Sequence, residues 1–216
     1  MVRHGRTTAN ARGLLLGRTD LPLDERGERE AAAVAGVIAS GRFGEVAEVV
    51  SSPLLRTRQT AEAVAAAVGR TVVLDDRFIE LDYGSFEGTP VADIAPAVWS
   101  RWRTELDFAP EGGESIATLG VRVRAACIDW SSAGRDGQGE VPGDGLPDLS
   151  SARGAVVVVS HVSPIKAAVA WSLGVGDEVA WRTHLDTASI TRIGSRGGVP
   201  VLSSFNDTAH LAALDS

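Results

Sequence analysis

The chain has one cysteine, no long apolar run and no excess of positive charge, and each shortage removes a class of protein. Cys127 has no partner for an internal disulfide, which argues against a disulfide scaffold and fits a reducing compartment. It falls at an apolar position of a predicted helix and reads as a small core residue. No segment approaches the roughly 18 apolar residues of a membrane span. The opening MVRHGRTTAN puts two arginines and a histidine where a secretory signal needs an apolar stretch. The expectation is a cytoplasmic protein with no membrane partner. The net charge of −7 gives no broad positive field for nucleic acid or an anionic membrane. The expected partner is therefore a small molecule, and if it is an anion the charge that receives it must be local.

What is present describes one globular domain. Hydrophobic residues make up 44% and charged residues 23% of 216 positions, enough for one substantial core and few enough to exclude disorder. No internal repeat is found. Composition shifts once, over residues 131–154, where Gly, Ser, Asp and Pro dominate without apolar periodicity; this reads as a flexible surface insertion within a single domain spanning 1–216.

Ala-rich stretches at 25–40 and 57–68 have helical spacing. Leu119, Val123, Ala126, Cys127 and Trp130 mark a core-facing helix with Ser115 as its N-cap. Short β-branched runs at 46–50, 71–74 and 155–159 predict strands between them. The last run is continuously apolar, as a strand covered on both faces must be, so the spacing predicts a three-layer α/β/α sandwich with a mostly parallel sheet. Ligands in such sheets lie beyond the carboxyl ends of the strands.

Candidate chemical residues occupy those ends. His4 stands at the very start and His161 directly follows the run ending at Ser160. Either histidine alone reads as structural. Arg56 follows Ser52 and Pro53, which signal a helix start with serine as cap, and a guanidinium near helix N-terminal amides favours a phosphate. Glu80, in FIELDYGSFEG, has apolar and aromatic neighbours that raise a carboxyl pKa and fit a general acid.

The blocks VRHGRTTAN, SSPLLRTRQTA, ELDYGSFEG, PEGGES, VVVVSHVSPIK and NDTAHL, in that order, resemble the histidine phosphatase superfamily, which has the phosphoglycerate mutase-like fold. The resemblance covers nearly the whole chain outside the insertion. It implies that His4 is the nucleophile, that Glu80 protonates the leaving group, and that Arg3, Asn10, Arg56, His161 and the Val162 backbone amide surround the phosphate. His161 would work protonated beside that phosphate. Phosphoryl transfer needs an in-line nucleophile, cations around the spreading charge and an acid for an alkoxide leaving group, and these residue types supply all three. The scheme needs no metal and no cofactor, and it implies a metal-independent phosphomonoester hydrolase. It leaves room for a homodimer.

Several positions depart from the family pattern. Only Met1 and Val2 precede Arg3 where relatives carry a longer apolar strand, so either the natural start lies upstream or the central strand is clipped. Arg6 replaces a common acidic or amide residue and either adds charge at the pocket rim or sits solvated on the surface. Val162 replaces a usual glycine. Leu14 to Leu16 make the loop after Asn10 more apolar than the polar version often seen, pointing to a less polar leaving group. Trp99 and Trp102 lie on a predicted helix that covers the site, with packing or substrate contact both open. Trp171, Trp181, His184 and His210 are assigned to packing, and Glu111 and Glu114 to a loop entering a helix. Mutases of the superfamily typically read ERHYG where this chain reads ELDYG. A mutase, a catalytically silent phospho-ligand-binding member and a metal-dependent hydrolase are the alternatives, the last lacking a spaced ligand set.

Overall fold

The computed structural model describes residues 1–132 and 154–214. In chain order it forms β1 (Val2–Arg3), α1 (Thr8–Ala11), α2 (Glu25–Ala39), β2 (Val46–Ser51), α3 (Leu55–Val68), β3 (Val72–Leu74), α4 (Pro96–Thr104), α5 (Ile116–Ser132), β4 (Ala155–Ser160), α6 (Val162–Leu173), β5 (Ile190–Arg196) and β6 (Val199–Asp207). Short 3-10 turns fill several connections, including Asp76–Phe78 and Asp177–Arg182. The surface insertion expected at 131–154 lies outside the described residues except at its ends, where Ser131 and Ser132 close α5 and Gly154 precedes β4. Among the described residues no helix is long and apolar enough to cross a membrane.

The six strands stand in the order β3-β2-β4-β1-β5-β6. The first four run parallel, and β5 and β6 form an antiparallel hairpin on the other side of β1. Period-two alternation in the central strands supplies both faces at once. Val49 of β2 and Val157 and Val159 of β4 enter one core with Val34, Ile38, Ala61 and Val64 of α2 and α3. Val50 and Val158 enter the other with Trp102, Leu119, Val123 and Ala168 of α4, α5 and α6. The expected three-layer sandwich is therefore present, and Cys127 is buried in the second core. Ser115 caps α5 as expected, its hydroxyl accepting from the Thr118 amide.

Strand β1 is two residues long, yet its neighbours hold it firmly. The Thr191 amide donates to the Met1 carbonyl, the Arg3 amide to Ser189, and the His4 amide to Ser160. Behind it, residues 5 and 6 lie backbone to backbone on the first turn of α2. A side chain added at Gly5 would fall on the Gly27 carbonyl, and one added at Gly27 would fall on the Arg6 carbonyl. Asp24 caps α2 through the Gly27 amide, and the buried Glu30 accepts from the Arg6 amide at 2.8 Å.

Two glycines of α2 should respond oppositely to alanine. At Gly27 the new methyl meets main chain that cannot yield, so Gly27→Ala should destabilise by about 1–3 kcal/mol. At Gly36, exposed with nothing nearby, the same change should stabilise by about 0.5–1 kcal/mol through helix propensity alone. Urea denaturation of both variants measures this, and equal effects would mean the backbone contact at Gly27 is not tight.

Candidate active site

The register of β1 on β4 pairs Arg3 with Ser160, so the next residues, His4 and His161, leave adjacent parallel strands side by side. Their ring centroids are 5.1 Å apart and both rings are buried. The His4 carbonyl accepts from the amide of Ala188. Ala188 is itself buried with φ of 55°, a left-handed conformation that disfavours any side chain and marks stored strain. His4 Nδ1 lies 2.7 Å from the Gly5 carbonyl. A carbonyl only accepts, so Nδ1 carries the proton and Nε2 keeps its lone pair. His161 Nε2 meets the Ser52 hydroxyl at 2.7 Å, whereas its Nδ1 is buried without a partner.

The two arginines are gripped from behind. Arg3 Nη1 donates to the Leu185 carbonyl at 2.6 Å. Arg56, on the first turn of α3 and fully buried, donates through Nη1 and Nη2 to the Thr19 and Gly17 carbonyls. In each guanidinium the Nε–H is buried with no partner. A buried donor left unpaired costs about 1–3 kcal/mol; Arg3 Nε and Arg56 Nε are two such donors, His161 Nδ1 is a third when its Nε2 accepts from Ser52, and all three belong to side chains that are electrostatic neighbours of His4. Burial first, then the charges of Arg56 and Arg3, holds His4 well below the ordinary value of 6.5; burial and Arg56 do the same to His161. These shifts favour the neutral form of both imidazoles in the free protein.

Glu80 reaches the same pocket from the segment after β3. Its carboxyl is buried and accepts from the amides of Leu81, Val162 and Ser163 at 2.8, 3.1 and 3.2 Å, the last two being the first amides of α6. Burial raises its pKa above the ordinary 4.5, opposed by hydrogen bonds from Leu81 and Ser163 and by the charges of Arg56 and Arg3. The segment that carries it is clamped by Arg122, whose guanidinium donates to the carbonyls of Arg77, Ile79 and Glu80 and is paired with Glu114 at 2.7 Å. The Ser160 hydroxyl adds a bond to the Phe78 carbonyl.

Other expected residues are placed differently. Asn10 closes a capping box with Thr7, its Oδ1 accepting from the Thr7 amide and hydroxyl. The Val162 amide is bonded to Glu80, not free for a phosphate. Arg6 is paired with Asp24 at 2.9 Å, which ties the loop after β1 to the start of α2. Ser52 does not cap α3, whose N-cap is Leu54 without a side-chain bond; its hydroxyl is on His161. His184 is exposed beside Asp186, not packed. Trp102 is core. Glu30, Gly27, Ser52 and Arg122 were not singled out for the site from the sequence; only the spacing of ERGERE around the α2 start carried a trace of the first two.

The family model for the histidine phosphatase superfamily, branch 1, matches residues 1–208. The chain belongs to that superfamily. Among curated relatives, the Bifunctional protein Rv2228c of Mycobacterium tuberculosis is 37% identical over 194 residues, covering 88% of this chain and 48% of that protein. The chain thus spans about half the length of that relative. A Probable phosphoglycerate mutase GpmB of Yersinia enterocolitica is 33% identical over 227 residues, covering 100% of this chain and 96% of the relative. Among solved structures, the mycobacterial glucosyl-3-phosphoglycerate phosphatase Rv2419c complexed with VO3 superposes with a TM-score of 0.82 at 26% identity, over 96% of this chain and 98% of that one. A phosphoserine phosphatase mutant from Entamoeba histolytica in complex with phosphoserine gives 0.79 at 27% identity, over 97% and 96%.

Two buried neutral histidines make this histidine phosphatase superfamily member sensitive to acid. Their folded pKa values lie below the unfolded 6.5, so the stability they permit is present above pH 6.5 and declines as pH falls through the folded values. Unfolding free energy from urea titrations should therefore drop between about pH 7 and pH 5. His161→Phe, which removes one titrating ring, should make that decline shallower; an unchanged slope would mean the rings are not held neutral.

Proposed function

We propose that this protein is a phosphomonoester hydrolase working through a phosphohistidine at His4. One observation carries the reading: three buried donors without partners, Arg3 Nε, Arg56 Nε and His161 Nδ1, stand around an imidazole whose free nitrogen is Nε2. Nothing among the described residues satisfies those donors. A dianionic phosphoryl group does, because it offers three oxygens to three N–H groups.

In the first step the His4 Nε2 lone pair forms a bond to phosphorus, the bond from phosphorus to the ester oxygen breaks, and the Glu80 proton passes to that oxygen. In the second, water attacks the phosphohistidine while the Glu80 carboxylate takes a water proton. Inorganic phosphate leaves, and His4 and protonated Glu80 are restored. The three amides on Glu80 suit its charged form between the steps, and burial suits its neutral form before the first. The Ser52 hydroxyl holds His161 by Nε2, so that Nδ1–H is presented to the phosphate, and Asn10 Nδ2 adds a contact. Val162 takes part through its amide only when Glu80 releases it.

Structural neighbours named as phosphatases, acting on glucosyl-3-phosphoglycerate and phosphoserine by their names, support hydrolysis. The relatives named as probable phosphoglycerate mutases favour a second reading, isomerisation. A mutase must retain a second anionic group on its substrate. Arg18, on the loop that grips Arg56, is paired with Asp82 at 3.4 Å and Glu114 at 3.2 Å, which lowers its value for that task.

With 3-phosphoglycerate and a bisphosphoglycerate primer, any reaction should release inorganic phosphate without equilibrating the 2- and 3-isomers; rapid isomerisation would establish the mutase. Glu80→Gln should slow phosphorylation by an alkyl phosphate about 10²-fold or more. It should slow p-nitrophenyl phosphate less, because that leaving group is stable as an anion. Rapid-quench measurement of the phosphorylation half-reaction separates this from any shared later step, and equal losses would remove Glu80 as the acid.

A further inference from the structure

Next to the residues that hold Glu80 lies a cavity of about 190 Å³. Leu81, Trp99, Val162, Ala167 and Trp181 form much of its wall. Leu81, which follows Glu80 in the chain, and Val162, which follows His161, are also the residues whose amides bind the Glu80 carboxyl, so the cavity adjoins the carboxyl that the proposed mechanism uses as acid. One wall is aromatic: Trp99 contacts Trp181 and the core Trp102 at centroid distances of 6.0 and 5.3 Å.

Resting on the hydrolase reading above, we infer that the alcohol released by this enzyme is a compact apolar body of about one ring. Two arguments carry it. Several polar atoms of the lining are engaged by protein. The Lys166 ammonium donates to the Ala180 carbonyl at 2.8 Å, both Asp177 oxygens accept from Arg124, and the Tyr83 and Ser163 hydroxyls face each other at 3.3 Å. Trp181 Nε1, buried without a partner, and the two further N–H groups of Lys166 are the donors left over. The rest of the wall is carbon from Leu81, Trp99, Ile116, Leu119, Val162 and Ala167, against which a leaving group rich in hydroxyls would lose its water with few acceptors in return, a loss that favours apolar competitors. Size gives the second argument, since a dry apolar cavity of about 150 Å³ admits one benzene ring.

Lys166 is the only lysine in the chain, and it lines this cavity. It therefore reports occupancy by itself. Burial lowers its pKa, with Glu80 opposing, which keeps more of the amine reactive toward an acylating reagent.

The test combines turnover with labelling. Phosphate release is compared for 2-phenylethyl phosphate, glycerol 3-phosphate, phosphoserine and 3-phosphoglycerate, all alkoxide leaving groups. Acetylation of Lys166 is followed by peptide mass spectrometry with and without 3-phenylpropylphosphonate, the isostere with CH₂ for the bridging oxygen. The expected result is kcat/KM at least about tenfold higher for phenylethyl phosphate than for the polar esters, in line with apolar pocket discrimination. Trp99→Ala and Ala167→Met, one removing a wall and the other filling the space, should each reduce that ratio severalfold. The phosphonate should protect Lys166 where inorganic phosphate does not. Release of phosphate with the polar esters preferred, or an unprotected Lys166, overturns the inference and leaves the hydrolase intact. If no ester releases phosphate the hydrolase reading falls, and the labelling alone then decides whether the cavity takes an apolar phosphonate.

Discussion

Two guanidinium groups and two imidazoles buried in one pocket repel each other's protonated forms, and water is not there to screen them. Most of what surrounds this pocket can be understood as a response to that constraint. Main-chain carbonyls of Gly17, Thr19 and Leu185 take the outward N–H groups of the arginines, so the guanidinium charges are solvated by protein dipoles without being neutralised. Both histidines give up their protons. Glu80 is the one carboxyl of the pocket buried beside them, and its own charged form is disfavoured by burial. The result is a cluster whose positive charge is not neutralised by Glu80 alone and whose Arg3 and Arg56 Nε–H groups are left without a partner among the described residues, the feature on which the proposed anion site rests.

Fixing those groups falls to the sheet. Parallel β1 and β4 end in register, and β2 ends beside them, so His4, His161 and Ser52 emerge at one edge of the sandwich. The two-residue β1 would be a weak support by itself. Its hold comes from β4 on one side, β5 on the other, and the glycine contact with α2 behind. Strain at Ala188 sits directly on the His4 carbonyl, in keeping with backbone stress gathering where geometry is most constrained.

Local patterns made much of this legible from sequence. Valine runs and alanine-rich periodic stretches are decided within a few residues, and β2, β4, α2, α3 and α5 appear near their expected bounds. The hairpin of β5 and β6 was missed because its faces are only partly buried and its sequence mixes Arg, Ser, Gly and Asn with its apolar residues, weakening the alternation. Ser52 was misjudged for a different reason. A serine before a helix start has the right chemistry for a cap, and its actual partner is 109 residues away. Glu30 carried no local signal of its burial, which goes with the Arg6 amide docking onto it. Motif residues such as His4, Arg56 and Glu80 were recognisable, yet the unpaired state of the donors, which gives them meaning, exists only in three dimensions.

The proton on His4 is placed by the carbonyl of the next residue. Orientation of the reactive ring is thus encoded in the main chain itself, and no side-chain replacement elsewhere deletes the acceptor. An alanine scan of the pocket would probe His4, the arginines and Glu80 while passing over the bond that decides which His4 nitrogen carries the proton. Control of the tautomer is in that sense genetically silent: it can be disturbed only by bending the loop, and the Gly5–Gly27 contact leaves the loop little room to bend.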